Sequence, residues 1–450
     1  MTTHPTLSTG AARPPAATSL LSRRGFLGMA GRGLLVGAAA AGSLDAVDRL
    51  VGTSAGATMP YAATGGAVDT GLILVTVQLQ GGLDFLDTVI PADSDRYRRL
   101  RRRSGVDLAA AHTIDRDFVL HPELGYLAGR WHEGEVGIVH GVGYPDSSLS
   151  HFVDTAIWER GSDDPTVRTG WIGRSLDAFA GADADPMLGV SIGTLSPSMY
   201  APGWNPVALA EDGRLPWTAE FIDEHPDLVR AYSRLMSSTA NSMGDQSLVD
   251  RVRSSQLLVR DVADTIGGAT DLDALRRTVE MLEESEEEDE TGGDALSRRL
   301  GIVADLIKGG LPTRAYHVAH GGDFDTHASQ VASLPALLRS LDRAVQTFDE
   351  RLGDQRSRVV LATWTEFGRR PDWNGSGTDH GTAGAQFVIG PRAVSGHHGT
   401  PPSLERFDHD DNFIVTGDYR SYLAGLAQGV LGVDGQEILG TGVDPMEVVA

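Results

Sequence analysis

The chain has 450 residues, with 61 acidic against 38 basic side chains, a formal net charge of -23, 41% hydrophobic residues and no cysteine. So negative a surface opposes nucleic acid and anionic lipid. The lack of thiols excludes disulfides, cysteine nucleophiles and thiolate-held metals or iron–sulfur clusters.

Residues 1–44 hold no acid and four arginines, Arg13, Arg23, Arg24 and Arg32. Arg23-Arg24, followed by Gly25, Phe26 and Leu27, resembles the twin-arginine export signature. The run 28–42 is too short and too rich in Gly and Ala to read as a bilayer span, and Ala38 to Ala41 offer small residues for cleavage. This predicts a leader at 1–44, read by the twin-arginine export machinery, and a linker at 45–70. The destination is the periplasm, the cell envelope or the extracellular space, and the mature form has no stable membrane span.

The body predicts one α/β domain over 71–435, with a short tail at 436–450. Residues 72–79 are apolar on both faces, which predicts a central parallel strand ending at Gly81-Gly82. A second strand at 136–140 leads through a Gly/Pro loop to a helix starting at Ser150 and ending near Arg160. A weaker strand follows at 188–192. Residues 221–310 read as a helical insertion, with seven acids in 283–290 forming a solvated run. Strands at 313–318, 358–364 and 386–389 flank a helix at 328–352, whose apolar residues recur at spacings of three and four. Asp418 is placed to cap a last helix reaching Val430. The alternation predicts a doubly wound, mostly parallel sheet with helices on both faces.

Chemistry gathers after the strands. Asp84 follows Gly81-Gly82, Asp325 and His327 follow Asp323, Glu366 follows the strand at 358–364, and Asp379-His380 sit between glycines. Parallel strands bring such ends together. Carboxylates mixed with imidazoles suit a divalent ion, with zinc, manganese or iron ahead of magnesium or calcium. Each residue also has a plainer role open to it. Asp84 suits a turn or helix cap, Glu366 suits a pair with Arg369, and Ser150 suits a cap on the helix it opens.

These segments, together with His121-Pro122-Glu123, Ser150-His151-Phe152, Gly170-Trp171 and Gly377 to Gly381, resemble the DUF1501 family over about residues 70–430. That family looks like a divergent branch of the alkaline phosphatase and sulfatase superfamily. The resemblance implies an alkaline phosphatase-like fold, and a metal held by Asp84, Asp325, His327, Glu366, Asp379 and His380, with either Asp323 or Asp325 ligating. Phe367 stands where the superfamily usually has a histidine. Ser150 falls at the place of a nucleophile, His151 could move a proton, and Arg369 could neutralise charge on an anionic ester. The expectation is an exported metal-dependent hydrolase of small phosphate or sulfate esters. The alternative is an exported metal-binding or assembly protein, with a co-exported protein as its partner, that keeps the fold without turnover.

Overall fold

The structure, a computed structural model, describes residues 67–178, 185–201, 206–210 and 293–450. The leader, most of the linker, most of the helical insertion and its acidic run lie outside the described residues.

A nine-stranded sheet organises the chain. Its strands are β1 (Ile73–Gln78), β2 (Val136–Gly143), β3 (Gly189–Ile192), β4 (Val207–Leu209), β5 (Ala315–Ala319), β6 (Val359–Trp364), β7 (Gly384–Ile389), β8 (Gly396–Gly399) and β9 (Gly417–Asp418). The spatial order is β8-β2-β7-β6-β1-β5-β3-β4, with β9 also on β2. β1 lies between β5 and β6, parallel to both. Its six residues are all buried, as an apolar strand covered on both faces requires.

The sheet is mixed rather than uniformly parallel. β7, one of the expected strands, runs antiparallel to both β2 and β6. Two reversals restore the direction, so β2 points the same way as β1. The C-terminal ends of β1, β2, β5 and β6 therefore share one edge.

Helices cover both faces. Ile73, Val75 and Val77 pack with α3 (Gly293–Lys308) and α4 (Gln330–Leu352), through residues such as Leu300 and Leu338. Leu72 and Leu74 face the other way, onto Trp158 of α2 (His151–Arg160) and Tyr422 and Leu423 of α5 (Tyr419–Gly429). This is the two-residue alternation of a strand, with one hydrophobic layer on each side. A four-residue helix, α1 (Phe85–Thr88), follows β1. Asp418 caps α5 by accepting the Arg420 N–H, as the sequence predicts.

Candidate metal centre

Three loops meet beyond the sheet edge, and the loop after β2, residues 144–150, joins them through Leu149 and His151. The first follows β1 and turns at Gly81 and Gly82, which have φ of 109° and 90°. A Cβ on Gly81 would lie 2.3 Å from the Asp325 nitrogen, so only glycine lets the second loop, 320–329, close over the first. The third follows β6 and carries Glu366 into a hairpin formed by 368–373 and 378–381.

Arg369 ties these loops together. Its guanidinium is wholly buried and donates to the carbonyls of Gly81, Gly82, Phe324 and Thr378 and to Asp325 Oδ1. A side chain so committed cannot reach out to neutralise an anionic ester. The sequence-based role for Arg369 is therefore corrected: it clamps the loops and holds Asp325.

Asp325 is the hub. Its Oδ1 is 2.9 Å from His380 Nε2 and 3.1 Å from His327 Nε2, and its Oδ2 is 3.4 Å from His151 Nε2. Burial alone would raise its pKa, but Arg369 and the histidines outweigh that and hold the carboxyl below its usual range.

Each imidazole is fixed from behind at Nδ1. His151 meets Glu366 Oε1 at 2.8 Å, His327 meets Asp379 Oδ1 at 2.9 Å, and His380 meets the Leu149 carbonyl at 2.8 Å. A carbonyl only accepts, so His380 Nδ1 carries a proton and donates it there. Burial pushes the His380 pKa down, against the pull of Leu149 and Asp325. Its Nε2 faces a carboxylate oxygen at 2.9 Å, a contact that a proton or a metal ion can bridge.

His151, Asp325 and His380 each offer one ligand atom, and these atoms lie within 4.8 Å of one another. The donor set fits a divalent ion: two imidazole nitrogens and one carboxylate oxygen, with Nδ1 partners that fix the ring orientation. The hydrogen bond that His151 donates to Glu366 raises the His151 pKa, although burial opposes it.

The other expected ligands take different places. Glu366, wholly buried, accepts from His151 and from the Gly81 N–H at 2.9 Å, and so stands behind His151. Asp379 accepts from Asn374 Nδ2 at 2.9 Å as well as from His327, and stands behind that ring. Asp323 accepts the Asp325 N–H and shapes the loop. Phe367 packs its ring against His151 and His380, with centroids 4.9 and 4.5 Å away.

Asp84 is a correction. Its carboxylate accepts from Arg101 Nη2 at 3.0 and 3.1 Å, from Gln330 Nε2 at 2.7 Å, and from two N–H groups at the start of α1. Both members of the ion pair are wholly buried. It caps a helix and balances a buried arginine, apart from the three grouped ligands. Ser150 occupies the cap position of α2, but its hydroxyl makes no capping hydrogen bond, so the plainer capping role does not hold for its side chain.

Residues 128–413 match the family model described as "Protein of unknown function (DUF1501)". The chain belongs to this family. All three grouped ligands of this DUF1501 protein, and Glu366, His327 and Asp379 around them, fall within the matched residues, whereas Asp84 precedes them. No curated protein matches the chain. Among solved structures, the lipoteichoic acid synthase LtaP from Listeria monocytogenes is 11% identical, over 89% of this chain and 79% of that one, with a TM-score of 0.34. Ps i-CgsB is likewise 11% identical, over 82% of this chain and 75% of that one, with a TM-score of 0.32. Its complex with k-i-k-neocarrahexaose gives 0.33 over the same shares.

The Leu149 carbonyl and Asn374 were not among the expected groups. A backbone acceptor leaves no mark on residue type. Asn374 stands five residues before Asp379 in a polar turn, where its amide could equally have faced water.

Proposed function

We propose that the protein is an exported, metal-dependent hydrolase of phosphate or sulfate esters, with His151, Asp325 and His380 holding the ion. The observation that carries this reading is the convergence of three Nε2 atoms, each fixed from behind, on one ionised carboxylate. A divalent ion bound there supplies Lewis acidity to an ester oxygen and lowers the pKa of a water or hydroxyl.

The chain's own groups divide the remaining work. Glu366 and the Leu149 carbonyl orient the two ligand rings. His327 is half-exposed beside the ligands, with Asp379 fixing its Nδ1–H, so its Nε2 is placed to take or give a proton. Ser150 immediately precedes a ligand, and its hydroxyl is not spent on its helix; it is the nucleophile candidate. Arg101 and Arg369 are buried and paired, so substrate charge is left to the ion.

No helix among the described residues is long and apolar enough to cross a membrane. Export rests on the Arg23-Arg24 leader, and replacing both arginines by lysine should leave unexported precursor in the cytoplasm. Normal export of that variant would sink this part.

The function is tested by elemental analysis of protein purified without chelator, followed by turnover of 4-nitrophenyl phosphate and 4-nitrophenyl sulfate. About one divalent ion per chain is expected, with activity lost in His380→Ala. Protein that is metal-free, and that neither takes up zinc nor turns over, would overturn the reading. Bound metal without turnover of either ester would favour the second reading, a metal-binding or assembly protein. The observation behind that alternative is that Arg369 is sealed from substrate.

A further inference from the structure

A wholly buried carboxylate, Asp154, lies one helical turn after His151, and its hydrogen-bond partners all come from the loop that precedes α2. Its Oδ1 accepts from Tyr144 Oη at 2.5 Å, from Ser148 Oγ at 2.6 Å and from the Ser148 N–H at 3.3 Å. Its Oδ2 accepts from Ser147 Oγ at 2.7 Å. Both hydroxyls pass the constraint on. Ser147 Oγ accepts the Leu149 N–H at 3.5 Å, and Ser148 Oγ accepts the Ser150 N–H at 3.2 Å.

The backbone fixed in this way is one that the chain would not choose freely. Leu149 has a φ of 55°, and Asp146 a φ of 56°. Leucine has no polar side chain to offset the left-handed conformation, so the surroundings must hold it there. The result is specific: the Leu149 carbonyl points at His380 Nδ1, and two residues later His151 opens the helix.

We propose that Asp154 is a positioning residue for the metal centre, holding loop 144–150 so that it delivers His151 and, through the Leu149 carbonyl, sets the tautomer of His380. The role rests on the metal reading above. Asp154 touches neither the ion site nor substrate; it acts on two of the three ligands through seven residues of backbone. A carboxylate is suited to this because it accepts four hydrogen bonds at once, whereas an amide oxygen with its NH2 cannot accept on both sides.

The test compares wild type with Asp154→Asn and, as a milder variant, Ser147→Ala/Ser148→Ala. Zinc affinity is measured by competition with a chelator, and circular dichroism checks that each variant is folded. A loss of about tenfold or more is expected in both variants, the scale typical of groups that orient metal ligands. In metal-free protein, the 15N resonances of His380 should show Nδ1 protonated in wild type and a mixture of tautomers in the variants. Leu149→Gly added to Asp154→Asn should recover much of the affinity, since glycine adopts the left-handed turn unaided. A loop that merely stabilised the fold would change the melting temperature without changing the tautomer.

Wild type that binds zinc, with both variants binding it within twofold and His380 unchanged, would overturn this role alone. Wild type that takes up no zinc would sink the metal reading and this role with it.

Discussion

Glu366 gives the sharpest handle on the centre, and Glu366→Gln is the cleanest perturbation. The side chain is wholly buried, and its Oε1 accepts both from His151 Nδ1 and from the Gly81 N–H. Glutamine has the same shape and can keep its amide oxygen in that place. Its NH2 then falls where Oε2 sits, near Thr365 Oγ1 at 3.5 Å, which can accept. What disappears is the charge that makes the His151 bond strong. Groups of this kind typically change metal affinity 10- to 100-fold, or about 1.4–2.7 kcal/mol. The pH dependence has a definite sign. Glu366 raises the His151 pKa, so in the apo protein the imidazole gains its second proton, on Nε2, at a higher pH than an ordinary histidine. Metal must displace that proton, and affinity falls about tenfold per pH unit below the pKa. In Glu366→Gln the break moves down towards the ordinary value. The variant should therefore bind more weakly at pH 8, with the gap to wild type narrowing at pH 6. Chelator-competition titrations with zinc at the two pH values, beside thermal unfolding of the apo proteins, read this out. Equal affinities at pH 8, or a gap that widens at pH 6, would refute the reasoning.

Three further outcomes are expected. Asp84→Ala removes the closer of the two buried carboxylates that face Arg101 and leaves only Asp87 Oδ1, 3.5 Å from its Nε, which should cost about 3 kcal/mol in denaturant unfolding. Zinc affinity measured on the folded fraction should stay within threefold, and a selective loss of metal at unchanged stability would restore Asp84 as a ligand. His327→Asn should keep zinc within about threefold but lower kcat by about 10²–10⁴, the usual worth of a proton-transfer group; unchanged turnover would remove that role. His317, buried against Thr76 Oγ1 at 3.1 Å, has its pKa pushed down to about 4 by burial, so the unfolded chain binds the extra proton first. Its contribution is complete above about pH 6.5 and falls away as the pH drops towards 4, by about 2 kcal/mol at pH 5. His317→Gln should flatten the stability profile over that window, and an unchanged slope would discard the assignment.

The sheet was legible where burial wrote itself into composition. Strands β1, β5 and β6 are apolar on both faces, and their ends follow the sequence reading to within two residues. The direction of β7 was not legible, because Gln386 to Ile389 looks the same whether it runs parallel or antiparallel. The edge strands escaped for the opposite reason. Gly396–Gly399 contains two glycines and two histidines, and only the neighbouring β2 makes a strand of it. The hairpin carrying Arg369 and His380 includes Pro371 and several charged residues, a composition that reads as loop.

The candidate site was legible as a neighbourhood and not as a set of roles. Carboxylates and histidines after strand ends share one pattern, and the pattern holds whether a side chain meets the ion or stands behind a side chain that does. Asp325, Glu366 and Asp379 illustrate this. All three are acids beside loops, yet one faces three Nε2 atoms while the other two face Nδ1–H groups. The distinction depends on which side of an imidazole the acid reaches, a matter of a few ångströms that residue type does not record. Asp84 differs again, and the cause is Arg101, seventeen residues away. Arg101 is buried against Asp84 and Asp87, and breaking the closer of these pairs would cost several kcal/mol, more than the turn or cap that Asp84 alone suggests. That charge balance takes Asp84 out of competition for a metal and leaves the candidate ligands His151, Asp325 and His380 to the loops after β2, β5 and β6.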